Sequence, residues 1–112
     1  MGKLVYADSE LNITFEDRSL VHVQIVIGEL LQQNKGFYFS WKDDPAVGDG
    51  RSTVWMHPAI PLFFKFVGSR TPAINREWLA ALRETANSGT GLVFIGEPGQ
   101  PFGRTAAPKS HI

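Results

Sequence analysis

The sequence contains no cysteine. That excludes disulfides, thiolate metal sites and cysteine nucleophiles, and it is neutral on compartment. Net charge is also missing, because 11 Lys and Arg are balanced by 11 Asp and Glu. General attraction to nucleic acid or to an anionic membrane is therefore not expected of the whole molecule, although a local patch is compatible with the balance. No apolar run approaches the ~18 residues that a membrane-spanning helix needs. The opening MGKLVYADSE has no signal-peptide segment. The expectation is a cytoplasmic protein without membrane contact. Histidine is sparse, with His22, His57 and His111 only, and no H-x-x-x-H or H-E-x-x-H spacing occurs. A zinc site is not expected on that pattern. No G-x-S-x-G elbow is present either. No cofactor is expected.

Aromatic residues, by contrast, are plentiful. Eight Phe, three Trp and two Tyr stand among 112 residues, which points to an aromatic-heavy core. A chain of this length can bury a real core without disulfide or metal. Residues 1–97 read as a single domain. Residues 98–112, rich in Pro and Gly and without an apolar period, read as a flexible tail.

Leu4–Tyr6 and Leu11–Phe15 read as short strands around the turn residues ADSE. Asp17 or Ser19 can cap a helix running to about Gln33. Val21, Val23, Ile25 and Ile27 alternate like a strand, but Leu20, Val23, Val26, Ile27, Leu30 and Leu31 share a helical face. Length favours the helix, since strands of nineteen residues are not typical. Gly36 offers a left-handed cap. His22 falls on the polar side of this helix. Phe37, Phe39 and Trp41 alternate with Tyr38, Ser40 and Lys42, a strand pattern. STVWMH and PLFFKFV give two more strands, joined tightly between Pro58 and Pro61. Asn75 caps a second helix, with Ile74 and Leu79 at the spacing of a hydrophobic staple. Trp78, Leu79, Leu82 and Ala86 form its apolar face, and GLVFI closes the fold. The order β-β-α-β-β-β-α-β predicts a two-layer α+β domain. Its antiparallel sheet has about six strands, and two helices pack on one face.

The most unusual stretch is WKDDPAVGDGRST, Trp41 to Thr53. A phosphate loop needs a helix after its glycines, and here GDGRST leads into a strand. Asp43, Asp44 and Asp49 do not have the spacing of an EF-hand. A divalent site from Asp43, Asp44, Asp49 and His57 is the weaker alternative to a solvated hairpin loop. In the hairpin reading Pro45 stiffens the loop, Gly48 and Gly50 allow positive φ, and the aspartates accept loop amides. Asp43 and Asp44 are adjacent on an extended chain and point to opposite faces, which is poor geometry for acid–base work. His57, next to Pro58, reads as a turn residue.

Lys42, Arg51, Lys65, Arg70 and Arg76 could form a basic patch, interleaved with Tyr38, Trp55 and Phe63. Cations among aromatics on an exposed sheet suit single-stranded nucleic acid, while aromatics at period two also suit a core face. Phe63 and Val67 lie opposite Leu62, Phe64 and Phe66, so one strand carries large residues on both faces. That pattern predicts an interface, with a homodimer as the simplest case. Candidate contact residues are Trp41, Lys42, Asp43, Asp44, Asp49, Arg51, Trp55, His57, Lys65 and Arg70.

The segments MGKLVY, FEDRSL, FSWKDDPAVGDGRSTVW, HPAIPLFFKF with GSR, and NREWLAALRETANSGTGL together resemble a family of short actinobacterial proteins of unknown function. The resemblance covers about residues 1–97. Members often carry the name ATP-dependent DNA ligase. The resemblance implies a small single domain and no established activity. Ligases of that class share K-x-D-G-x-R, whose lysine takes the adenylate. Here KDDPAV keeps Lys42 and Asp44, but Pro45 replaces the glycine and Val47 the arginine. GDGR lacks the lysine two places before its Asp-Gly pair. The chain also has no room for the two domains of a free-standing ligase. The name then implies at most an accessory, nucleic-acid-associated role, with Lys42 the residue to carry any adenylate. The expected function is a small noncatalytic binding or interaction protein, the expected partners being a second copy or another protein. A nucleic-acid-binding accessory module is the alternative, and divergent nucleotidyl transfer the third reading.

Overall fold

The computed structural model describes residues 1–8, 10–43, 48, 50–99 and 109–111. The elements are β1 (Gly2–Tyr6), β2 (Asn12–Phe15), α1 (Asp17–Gln32), β3 (Phe37–Lys42), β4 (Arg51–Met56), β5 (Leu62–Lys65), α2 (Arg76–Ala86), β6 (Leu92–Val93) and β7 (Lys109–His111). The fold is α+β, and the expected order holds through β6. The segment expected to be a flexible tail contributes β7, which pairs with β2. Residues 100–108 and 112 of that segment lie outside the described residues.

The single sheet expected from the strand order is in fact two. One has the order β5-β1-β2-β7 and the other β4-β3-β6. The β3–β4 hairpin forms as expected, but the meander stops there, because β5 pairs with β1. The cause lies in His57–Pro61. The Ile60 amide donates to the His57 carbonyl at 2.9 Å, and the Ala59 amide donates to His57 Nδ1 at 3.1 Å. This turn carries the chain from one sheet to the other, and neither proline can donate to a ladder. The last strand also departs from the antiparallel expectation. β6 runs parallel to β3, with Phe39 beside Leu92 and Ser40 beside Val93.

Both sheets and both helices share one core. Leu4, Ile13 and Phe15 enter it from the first sheet, Phe37, Phe39, Trp41, Met56 and Leu92 from the second, Leu20, Val23, Val26 and Ile27 from α1, and Trp78, Leu79 and Leu82 from α2. The helical face read for α1 is thus the buried one, with Leu30 and Leu31 partly covered at its far end. Rings of Phe15 and Phe39 lie 6.3 Å apart, and Phe39 and Trp41 5.5 Å apart. Each such ring buries on the order of 150–250 Å², so these few side chains supply much of the stabilising area.

The helix ends show which local readings hold. Asn75 caps α2 as expected, its side chain accepting from the amides of Glu77 and Trp78. Ile74, expected to staple against Leu79, stays 42% exposed. Glu16 precedes α1 without a side-chain cap. Asp17 lies inside the first turn and accepts instead from the Val67 and Gly68 amides, at 3.1 and 2.7 Å, which ties α1 to the segment after β5. Those amides hold its pKa below the ordinary carboxylate value, the Gly68 bond most strongly. Ser19, the other cap candidate, is buried, and its hydroxyl has no partner among the described residues. At the C-terminal end the left-handed residue is Asn34, φ 59°, rather than Gly36.

Candidate binding face on strands β3 and β4

Strand period two divides β3 and β4 into an inner and an outer face. Phe37, Phe39 and Trp41 turn inward, and Tyr38, Ser40 and Lys42 turn outward. On β4, Met56, Val54 and Ser52 are the better covered residues, while Arg51, Thr53 and Trp55 are exposed. The register sets Tyr38 opposite Trp55, Ser40 opposite Thr53, and Lys42 opposite Arg51. The outer face is therefore a ladder with an aromatic rung, a hydroxyl rung and a cationic rung.

The hydrogen-bond pattern shows that these rungs are the close kind of antiparallel pair. The Asp43 amide donates to the Gly50 carbonyl at 2.9 Å, so that pair is hydrogen-bonded, and pairs alternate from there. Lys42–Arg51, Ser40–Thr53 and Tyr38–Trp55 are then non-hydrogen-bonded pairs, in which Cα atoms approach to about 4.5 Å and side chains lie nearest. Two observations agree. The Ser40 carbonyl points to β6 and accepts from the Phe94 amide at 2.9 Å. The Trp55 carbonyl points to the outer edge and accepts from the Tyr6 hydroxyl. Ser40 Oγ and Thr53 Oγ1 lie 2.9 Å apart, and the Tyr38 and Trp55 rings meet edge to face at 5.1 Å. Tyr38 is 54% exposed and Trp55 45%. A shallow pocket of about 340 Å³ opens on this face, lined by Tyr38, Ser40, Arg51, Thr53 and Thr90.

Gly36 gives the Trp55 ring its place. A Cβ there would lie 2.5 Å from the indole Cζ2. Gly36→Ala is expected to displace the indole while the fold survives, because the ring is at the surface and can swing. A changed Trp55 emission with an unchanged far-ultraviolet spectrum is the expected result, and an unchanged emission would contradict the contact.

The ten sequence-level candidates divide. Lys42, Arg51 and Trp55 share the ladder. Trp41 does not, because it is core, 1% exposed. Asp43 anchors the base of the loop. It accepts from the buried Trp41 indole and from Ser52, both at 3.2 Å. Its carboxylate satisfies an inward indole that would otherwise lack a partner. Asp44 and Asp49 lie outside the described residues. Gly48 takes a positive φ of 129°, as expected, and Gly50 does not. His57 is the turn residue already described. Lys65 is on the other sheet, opposite Lys3. Arg70 sits beyond β5 beside a separate pocket of about 240 Å³, which Val21, Gln24 and Phe66 help to line. Tyr38, already read beside the basic patch, joins them, and Ser40, Thr53 and Thr90 are the additions the structure makes. Period two signals Ser40 and Thr53, but only the register joins them.

A second polar constellation is half-buried. His22, expected on the polar side of α1, is fully covered and stacks on Trp78 at 4.4 Å. Its Nε2 accepts from the Asn75 amide at 2.8 Å, so the ring proton is on Nδ1, which faces the Arg18 carbonyl at 2.6 Å. Burial, above all, keeps the ring neutral and its pKa low. Arg18 makes a two-pronged bond to Glu97, at 2.8 and 2.5 Å, and a third bond to the Ala73 carbonyl. Asn75 Nδ2 also donates to Glu97. The bond from Arg18 does most to hold the Glu97 carboxyl at about 2, with the Asn75 bond adding to it. Both ring nitrogens of His22 are engaged within the protein, which suits a clasp between α1, α2 and the chain after β6 rather than proton transfer to a ligand. Sequence reasoning missed it because its members come from three separated segments.

Among the described residues no group of three or more His, Asp or Glu is placed to hold a metal ion. No described helix is long and apolar enough to cross a membrane. No curated protein and no solved structure matches the chain. A family model does, over residues 1–97, the whole of the α+β body from β1 to Glu97. The chain belongs to that family, the domain of unknown function DUF7882.

Proposed function

We propose that this chain is a noncatalytic binding domain whose contact surface is the outer face of β3 and β4. One observation carries the reading: Tyr38 and Trp55 hold large aromatic surface in solvent, in line with hydroxyl and cationic pairs, on two paired strands backed by the core. Exposed aromatics of this kind supply contact area with little loss of conformational freedom, and Trp, Tyr and Arg dominate binding energies at interfaces. Trp41 and Trp78 are buried, so Trp55 reports on this face. Its emission can be followed while adding a polyglutamate peptide, a deoxythymidine oligonucleotide, or unlabelled Trp55→Phe protein. A saturable change with at least one probe, lost in Tyr38→Ala, is the expected result. No change with any of the three overturns the reading. An adenylate on Lys42 after incubation with ATP and magnesium would replace it by nucleotidyl transfer.

A second reading, homodimerisation, is favoured by Phe63. It is 58% exposed on β5, an edge strand of its sheet. An unpaired strand edge with an exposed ring is a template for a second copy. Sedimentation at micromolar concentration should then give twice the 12.4 kDa chain mass, returning to one chain mass in Phe63→Glu. A monomeric wild type removes this reading.

A further inference from the structure

We infer that the partner of the β3–β4 face is a single-stranded nucleic acid, stacked on Tyr38 and Trp55 with its phosphates on Lys42 and Arg51. The inference rests on the binding role proposed above and gives it a chemistry. Its strongest support is the cationic rung. Lys42 and Arg51 face each other across a non-hydrogen-bonded pair, the closest approach an antiparallel ladder has. Like charges directly opposite destabilise such a pair. Neither makes a salt bridge among the described residues, and the nearby Asp43 carboxylate is turned to Trp41 and Ser52. A bound anion turns this repulsion into a two-armed contact, and phosphate is the anion that arginine's planar fork fits best.

The other rungs add what a bare phosphate would not use. Two exposed rings at 70° to each other, 5.1 Å apart, offer a face and an edge to an unpaired base. Bases inside a duplex have no free face to stack, so the ladder selects single strands. The hydroxyls of Ser40 and Thr53 lie between the rings and the cations and can bond sugar or phosphate oxygens. Rungs two residues apart span about 13 Å from the aromatic to the cationic end, roughly four nucleotides at the ~3.4 Å stacked spacing. An acidic peptide would meet the cations but has nothing equivalent for the rings.

Two phosphate contacts also set the salt dependence. The log–log slope should be about −1.4, so affinity falls about sevenfold between 50 and 200 mM salt. The experiment is fluorescence anisotropy with a labelled twelve-nucleotide deoxythymidine strand and with the corresponding duplex. Single-strand binding should be salt-sensitive to that extent, with the duplex weaker. Trp55→Ala should lose tenfold or more in affinity at an unchanged slope. Lys42→Ala with Arg51→Ala should flatten the slope, and Lys65→Ala, on the other sheet, should change neither. These side chains are exposed, so circular dichroism is expected to show the fold intact. Absence of single-strand binding overturns the inference, as does binding that the Trp55 and Lys42/Arg51 variants leave untouched. If oligonucleotides fail while Trp55 still responds to polyglutamate or to the protein itself, the binding role stands and the nucleic-acid inference falls. If Trp55 responds to nothing, both fall.

Discussion

Gly91→Ala should be among the most damaging single substitutions in the domain, lowering stability by about 3 kcal/mol. Gly91 has φ 93°, a region that side chains rarely adopt. Its missing Cβ is also filled space, because a methyl there would collide with the Tyr38 carbonyl oxygen and lie 3.0 Å from the Tyr38 Cβ. The obstacle is backbone, which cannot swing aside as an exposed ring can. Relief requires moving the Thr90–Gly91 approach to β6 away from β3, which loosens the parallel pairing of Phe39 with Leu92. A loss of about 3 kcal/mol corresponds to a fall in melting temperature on the order of 10–15 °C for a domain of this size. Thermal unfolding by circular dichroism measures it directly. A fall under 2 °C would mean that the contact is not made. Gly89→Ala is the control. It also has a positive φ, 89°, but nothing stands near its absent Cβ. It should cost about 1 kcal/mol, the strain alone.

Acid should destabilise the protein in two stages, and the clasp around Glu97 accounts for much of the second. Glu97 has its pKa lowered from 4.5 to about 2 in the folded chain. A depressed folded pKa gives stability that is present above the unfolded value and is lost as pH falls through the folded one. The window is therefore from 4.5 down to about 2. The shift converts to about 3 kcal/mol. Arg18 is 37% exposed, so solvent screens part of the interaction, and about 2 kcal/mol is the better figure. His22 acts earlier. Its folded pKa is lowered from 6.5, so the unfolded chain takes up a proton first and stability falls as pH drops below 6.5. Asp17 and Glu29 are lowered as well, by the Gly68 amide and by Arg83 respectively, and add to the acid limb. The test is thus a difference. Glu97→Gln should be about 2 kcal/mol less stable than wild type at pH 7, and the gap should close by pH 2. Denaturant unfolding across pH 2–8 reads it. A constant gap would place the effect in packing rather than charge.

The features legible in the sequence are those governed by neighbours along the chain. The alternation from Phe37 to Lys42 gave the strand and its two faces. The six apolar residues of α1 and the four of α2 gave the helix faces, and Asn75 gave its cap. Gly36 shows the limit of such reading. As a glycine after a helix it reads as a left-handed cap, yet Asn34 takes that conformation, and Gly36 serves the Trp55 ring nineteen residues on. His22 shows it from the other side. A histidine in a helix reads as polar and exposed until Trp78 and the Asn75 amide arrive from a distant segment to cover and bond it.

Local pattern and chain order thus determined by themselves the α+β class, the element sequence up to β6 and the division of strands and helices into two faces. Tertiary structure alone decided that the strands divide into two sheets, that β6 runs parallel to β3, that Trp41 is core, and that Lys42 stands against Arg51. The physical reason is the same in each case. Periodicity is set by backbone geometry within one element, whereas sheet membership, register and burial are set by which distant surfaces compete best for one shared core.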